Sequence, residues 1–170
     1  MRRRVAWLGA GTGALLLALT GIAQALEIPQ ESVPEPVLNT VKTRYPGIEM
    51  TGFAQEKTEE GATIYEVSLE DKGKAIDLTL TPEGTLILIQ REIARKDLPA
   101  PVLKTVDAEY PKARFRSVEE ALEVEGKEEK LQHYEVLLLT RDKQLRAVQL
   151  SPEGKVLKVE KQGEEESEED

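Results

Sequence analysis

The chain contains one segment twice, and this duplication constrains the fold more than any other feature. Residues 33–46 return at residues 98–111, 65 positions later, and eight of the 14 positions are identical. Chance would give about one identity over such a stretch. A repeat of this size is the sequence signature of one supersecondary unit that is used more than once. The sequence therefore predicts two copies of the same small unit.

The second copy is longer than the first. Residues 65–69 return as residues 134–138, 69 positions later, and residues 81–84 return as residues 151–154, 70 positions later. Four of the extra residues fall between Val118 and Tyr134. A residue added inside a strand would move every later side chain to the opposite face, so we expect these insertions to lie in loops.

Each copy is predicted to form one helix followed by four strands. Apolar residues at helical spacing in 37–45, and again in 102–110, lie within about 100° of one another on a helix. A proline opens each segment and a Tyr-Pro pair closes it, which suits the first turn and the end of a helix. Residues 65–70 and 76–81 alternate between apolar and polar side chains, as half-buried strands do.

Two local features refine the strands. Pro82 and Pro152 suit position i+1 of a type I turn, with glycine at i+3, so each is expected to join the last two strands of its copy as a hairpin. The spacing of Ile48, Met50 and Phe53 breaks strict alternation once, and a β-bulge near Gly52 would explain it.

The fold class that follows is α+β. It consists of two tandem repeats, residues 26–97 and 98–161, each a helix packed on a four-stranded antiparallel sheet. The two sheets can join into one long sheet with the helices on one face and the other face open.

Residues 1–25 have the pattern of a signal peptide. Three arginines, Arg2–Arg4, precede an apolar stretch from Val5 to Ala23, and Ala23-Gln24-Ala25 matches the small-x-small cleavage site. We expect cleavage after Ala25, a periplasmic or secreted protein, and contact with the membrane only through this segment before cleavage. The apolar stretch of 19 residues also approaches the length of a retained membrane anchor, which is the alternative.

The charge of the chain excludes nucleic acid as a partner. The net charge is −9, and the signal segment carries three of the 23 basic residues and none of the 32 acidic ones. Nucleic-acid binding requires clustered Lys and Arg. Residues 162–170 form an acidic tail, which we interpret as disordered and solubilising. An alternative function, binding of a small ligand or of calcium, would use this acidic surface.

The repeated motifs resemble those of the PepSY-like, β-lactamase-inhibitor-like family of exported bacterial proteins. The motifs are the Val-Pro or Leu-Pro at the helix start, the Tyr-Pro at its end, the Tyr-Glu-Val strand and the Pro-Glu-Gly hairpin, in this order and twice over residues 30–161. The resemblance implies a helix-on-sheet unit that binds a protein or peptide, such as a secreted peptidase, without turning over a substrate. The β-lactamase inhibitors use the open sheet face and its loops for binding.

The inventory of catalytic residues is small. The chain has no cysteine, and His133 is the only histidine. No serine lies in a Gly-x-Ser-x-Gly turn, and zinc sites built on paired histidines are impossible. We therefore predict a protein that is not an enzyme, with no cofactor and no metal site.

The candidate binding site is the open sheet face. Strand alternation places eight residues there: Glu66, Ser68, Asp77 and Thr79 in the first copy, and His133, Glu135, Leu137 and Leu139 in the second. The simpler interpretation of His133 is a solvated side chain without a role. Leu137 and Leu139 would be an exposed apolar contact for a partner, or else would be buried on both faces of their strand. The acidic residues of 119–125 are interpreted as solvated.

Overall fold

The structure is a computed structural model that describes residues 25–58 and 60–164. Most of the predicted signal peptide and acidic tail lies outside the described residues. The predicted start of the disordered tail at residue 162 is wrong, because residues 162–164 belong to the last strand of the sheet. No helix among those described is long and apolar enough to span a membrane.

Each copy contributes one helix and four main strands to a single sheet. The first copy contains β1 (Leu26–Glu27), α1 (Glu35–Arg44), β2 (Glu49–Lys57), β3 (Thr63–Asp71), β4 (Lys74–Leu80) and β5 (Leu86–Glu92). The second copy contains α2 (Ala100–Glu109), β6 (Arg114–Glu125), β7 (Glu128–Leu139), β8 (Gln144–Leu150) and β9 (Val156–Glu164). Short 3-10 turns at Gln30–Ser32 and Arg95–Asp97 precede the two helices.

The nine strands form one antiparallel sheet in chain order, β1 to β9. Both helices pack on the same face of the sheet. The apolar residues of the two cores pair with one another across neighbouring strands, and residues paired in this way lie on one face. The predicted α+β class, the two repeats and the single continuous sheet are confirmed.

The helices bury the residues that their periodicity predicts. Val37 and Val41 of α1 are 0% and 1% exposed, and Val102 and Val106 of α2 have the same values. The tyrosine of each Tyr-Pro pair caps the C-terminus of its helix: the N–H of Tyr45 donates to the carbonyl of Val41, and the N–H of Tyr110 donates to the carbonyl of Val106. Two equivalent cores result, one under each helix.

The predicted Pro-Glu-Gly hairpins hold the helices on the sheet. Gly84 has φ +82°, and its carbonyl accepts a hydrogen bond of 2.8 Å from Thr40 Oγ1 of α1. Thr105 donates to the carbonyl of Gly154 in the same way, at 2.7 Å. A Cβ on Gly84 would lie 2.5 Å from the carbonyl oxygen of Pro36, so only glycine fits between hairpin and helix.

The predicted β-bulge is present in both copies. The pairing of β2 with β3 shifts between Met50 and Gly52, and the pairing of β6 with β7 shifts between Phe115 and Ser117. The second bulge has no glycine at the corresponding position, so the bulge is a property of the fold rather than of glycine.

The expected position of the four-residue insertion is wrong. It lengthens the hairpin instead of a loop: β6 and β7 have 12 residues each, whereas β2 and β3 have nine. The pairing continues to Glu125 opposite Glu128. A hairpin can grow at its tip without changing the register behind it. A second bulge lies in the lengthened part, between Ala121 and Leu122.

The lengthened hairpin joins the two copies. β5 pairs with β6 from Leu88–Glu123 to Glu92–Glu119. Leu122 and Val124 of β6 are buried in the core of the first copy, and Ile89 of β5 is 0% exposed there. Glu129 of β7 forms ion pairs with Arg44 of α1 and with Arg91 of β5. Side chains of the second copy therefore form part of the core of the first copy.

Candidate functional site

The sheet face opposite the helices, here called the helix-free face, carries all eight residues predicted for the site. The register aligns Glu66 with Thr79, Ser68 with Asp77, and Asp77 with Gln90 of β5. In the second copy, Glu119 lies opposite Glu135, and Glu135 lies opposite Gln149. The predicted placement of the eight residues on one face agrees with this register.

Several of these side chains are far less accessible than an open face suggests. Thr79 is 1% exposed, Leu139 3%, Glu135 7% and His133 8%. The interpretation of His133 as a solvated side chain is therefore wrong, and Leu139 is not an exposed contact. Glu66, Ser68, Asp77 and Leu137 are half-buried and remain accessible.

Two of the buried carboxylates have hydrogen-bond partners across the strands. Ser68 Oγ donates to Asp77 Oδ1 at 2.6 Å, and Gln149 Nε2 donates to Glu135 Oε2 at 3.0 Å. Burial raises the pKa of Asp77 and of Glu135, and the two hydrogen bonds partly oppose that effect. These carboxylates are fixed in position by their neighbours.

Two other carboxylates are buried without such partners. Glu66 Oε2 and Glu119 Oε2 are inaccessible and have no hydrogen-bond partner among the described residues. Burial raises the pKa of Glu66 to about 8, with added repulsion from Asp77, Glu56 and Glu119. Burial also raises the pKa of Glu119 to about 8, with added repulsion from Glu135, Asp77 and Glu92. Each carboxylate therefore needs a proton or a cation at its free oxygen.

Burial raises the pKa of five carboxyl groups on this face, which we call the acidic cluster: Glu56, Glu66, Asp77, Glu119 and Glu135. His133 lies on the same face and strand as Glu135, and its Nε2 is also inaccessible and unpartnered. Burial lowers its pKa, so the imidazole is neutral near pH 7. It does not neutralise the cluster.

Apolar side chains lie among the acidic cluster. Ile64, Leu88 and Ala121 are buried on the helix-free face and form a small cluster with Ile87. Ile64 lies opposite Glu56, and Leu88 lies opposite Thr79. The face therefore combines acidic and apolar contacts.

A cavity of about 360 Å³ opens at the first-copy end of the face. Its lining includes the side chains of Glu66 and Ser68, Glu27 of β1 and the backbone of the bulge at Gly52. Two carboxylates thus border a space of a size that accepts one long side chain.

No group of three or more His, Asp or Glu side chains in the described part of the chain is arranged to hold a metal ion. Calcium binding stays a prediction of the sequence.

Comparison with protein families agrees with the duplicated architecture. A family model described as "putative beta-lactamase-inhibitor-like, PepSY-like" matches the chain twice, over residues 21–88 and 89–158. The chain belongs to this family. A comparison with curated proteins gave no match.

The PepSY-like chain is similar in fold to several solved structures from Bacteroides. A "putative periplasmic" protein from Bacteroides eggerthii has 17% identity and a TM-score of 0.60, with 76% of this chain and 88% of that chain covered. A DUF2874 family protein from Bacteroides uniformis has 16% identity and a TM-score of 0.57, with 75% and 88% covered. A BLIP-like protein from Bacteroides fragilis has 14% identity and a TM-score of 0.53, with 84% and 93% covered. At these identities the likeness concerns the fold.

Two members of the acidic cluster of this PepSY-like chain, Glu56 and Glu119, were not predicted from the sequence. Glu119 lies in a run of acidic residues that composition alone marks as solvated. A signal was present: Glu119 is equivalent to Ala54 at the offset of 65, and Ala54 pairs with Glu66. The register of the repeat thus points Glu119 to the helix-free face.

Proposed function

We propose that this PepSY-like protein is an exported, non-catalytic module that binds a protein partner through the helix-free face. The partner contributes an extended segment with Lys or Arg side chains. The observation that carries the proposal is the pair of buried, unpartnered oxygens on Glu66 and Glu119 within the acidic cluster.

The free energy of the acidic cluster favours a cationic ligand. A carboxylate that is buried without a partner is costly, and a charge-assisted hydrogen bond from Lys or Arg removes that cost. Glu66 and Glu119 repel each other and Asp77 in the absence of a cation. A bound cation therefore stabilises several carboxylates at once.

The apolar residues on the same face suit the remainder of such a ligand. Lys and Arg place their aliphatic stems on apolar surface while the charged group reaches an acceptor. Ile64 and Leu88 are buried beside the carboxylates. The half-buried Ile28 offers apolar surface at the cavity that Glu27 and Glu66 border, and this cavity accepts one side chain.

Two of the similar structures support the proposal. The Bacteroides fragilis protein is described as BLIP-like, and the Bacteroides eggerthii protein is described as periplasmic. Together with the predicted signal peptide, they favour a periplasmic or secreted location. A secreted peptidase is one class of partner that fits.

A capture experiment with matched variants tests the proposal. The immobilised protein is exposed to the envelope and secreted fraction of its own organism, and retained proteins are identified by mass spectrometry. The variant Glu66→Gln/Glu119→Gln keeps the shapes of both side chains and removes their ability to ionise and to pair with a cation. The control variant Glu35→Gln/Glu109→Gln removes two charges from the exposed helices.

We expect the wild type and the helix control to retain the same protein, and the Glu66→Gln/Glu119→Gln variant to lose it. Retention by all three variants would place the site elsewhere on the molecule. Loss from the helix control as well would indicate that net charge alone governs retention, and would contradict a defined site.

A further inference from the structure

The last strand of the sheet has a free outer edge. β9 pairs with β8 on one side, and no described strand pairs with the other. Of the three exposed large hydrophobic residues in the described part of the chain, two lie on β9: Leu157, 51% exposed, and Val159, 42% exposed. An uncovered edge with apolar side chains is a template for pairing with another strand.

The first copy shows how the same edge is covered inside the molecule. Val159 is equivalent to Ile89 at the offset of 70, and Ile89 is 0% exposed. Ile89 is buried because β6 pairs along β5 and places Leu122 opposite it. β9 presents the same kind of edge without the strand that would complete it.

We propose that a second copy of the protein completes this edge, with β9 pairing antiparallel to β9 of the partner molecule and Val159 opposite its own counterpart. In this register Lys158 lies opposite Glu160 of the second copy, and Glu160 lies opposite Lys158. In this register an apolar side chain meets an apolar one and each charged side chain meets one of opposite charge, so two copies of the edge are complementary. This inference does not depend on the partner proposed for the helix-free face.

The proposed pairing follows from the side chains of β9. Val159 points to the helix side, where its neighbour Val148 is fully buried. Lys158 and Glu160 point to the helix-free face, where they form an ion pair of 2.8 Å within the strand. Opposite charges directly across two strands stabilise a sheet, and like charges destabilise it. A two-fold axis through Val159 gives a closed dimer, not an open filament.

Cysteine substitution tests the register directly, because the natural chain has no cysteine. The variant Val159→Cys places two thiols opposite each other across the two-fold axis, at a spacing that a disulfide can bridge. The control Leu157→Cys is more exposed, but in this register it lies opposite residue 161, so its two thiols are about 13 Å apart along the strands.

Oxidation at low protein concentration is expected to convert Val159→Cys to a covalent dimer and to leave Leu157→Cys monomeric on non-reducing gels. Equal cross-linking of both variants would indicate random collision and would overturn the register. An absence of cross-linking in Val159→Cys would overturn the pairing.

Charge reversal provides a second test that does not depend on oxidation. By sedimentation analysis the wild type is expected to be a dimer at micromolar concentration. Lys158→Glu and Glu160→Lys each place like charges opposite across the axis, so each is expected to weaken dimerisation at least tenfold. The double variant Lys158→Glu/Glu160→Lys restores opposite charges and is expected to restore the dimer. A monomeric wild type, or single variants that dimerise as the wild type does, would refute the proposal.

Discussion

The residues that most distinguish this molecule are two glutamates that the fold buries without a partner. Glu66 and Glu119 come from different copies, yet each has one inaccessible carboxylate oxygen on the helix-free face. Natural proteins rarely leave such atoms unpaired, because each costs about 1–3 kcal/mol or more when charged. The cost is retained here at the surface for which we propose a function.

This cost predicts how stability changes with pH. The pKa of Glu66 and of Glu119 is raised from 4.5 to about 8 in the folded protein. Below about 4.5 both states bind the protons, and between about 4.5 and 8 the unfolded chain releases protons that the folded chain retains. The contribution to stability is therefore full at low pH and is lost as the pH rises through about 8.

We expect Glu66→Gln/Glu119→Gln to raise the free energy of unfolding at pH 9 by on the order of 3 kcal/mol, and to change it little at pH 4.5. Urea titrations of the variant, the wild type and the Glu35→Gln/Glu109→Gln control at both pH values measure the difference. An equal change at both pH values would show that the two carboxyls do not titrate as described.

For single residues, the sequence predicts the face of the sheet on which a side chain lies better than it predicts how buried the side chain is. Alternation assigned Glu66, Ser68 and Asp77 to the helix-free face, because the side-chain period of a strand is two. The burial of His133 was not predicted, and the burial of Leu139 was only one of two alternatives, since burial depends on which side chains of neighbouring strands surround a residue. No local pattern encodes that.

At the scale of the elements, each helix is tied to its sheet by the hairpin that closes the same copy. Thr40 and Thr105 donate to the carbonyls of Gly84 and Gly154, and the glycines contact the first turn of the helix. The Pro-Glu-Gly motif therefore forms the turn and also the surface that the first turn of the helix contacts.

We expect Gly84→Ala to lower the free energy of unfolding by about 3 kcal/mol, since a Cβ there meets the carbonyl of Pro36 in addition to the cost of a positive φ. Gly73→Ala is the matched control: its φ is +78°, and a Cβ there meets nothing within 4 Å. It should cost about 1 kcal/mol. Equal losses in thermal or urea unfolding would mean that the contact with the helix is unimportant.

The elements also show where repeat-based prediction fails. The helices, hairpins and bulge were predictable because both copies contain them, and the same pattern in two places supports each assignment. The long β6–β7 hairpin exists in one copy only, and the rule that insertions occupy loops gave the wrong position. The lengthened hairpin makes a tertiary contact that no local pattern encodes, the packing of Leu122 and Val124 on the other copy.

At the scale of the whole molecule, that hairpin makes the two copies one cooperative unit. Residues of β6 and β7 complete the core of the first copy, and Glu129 anchors the hairpin to α1. The core of the first helix-and-sheet unit therefore has no closed boundary without the second unit.

Thermal unfolding is accordingly expected to be a single transition with equal calorimetric and van't Hoff enthalpies. Leu122→Ala should lower the free energy of unfolding by about 2–3 kcal/mol and keep the transition single. Leu26→Ala, at a residue 65% exposed, should change it by less than about 0.5 kcal/mol. A thermogram with two peaks, of which Leu122→Ala shifts only one, would contradict the shared core.

The two-residue strand β1 has a consequence for how such a protein arises and grows. Leu26 and Glu27 pair with Gln55 and Ala54, and Arg91 and Glu92 occupy the equivalent places beside Glu120 and Glu119. β5 is thus both the last strand of one unit and the entry strand of the next. A gene duplication that ends after β5 inserts a whole unit with its entry strand already supplied. Recombination at the end of β5 can therefore lengthen this architecture by one whole unit without disrupting the pairing of the strands.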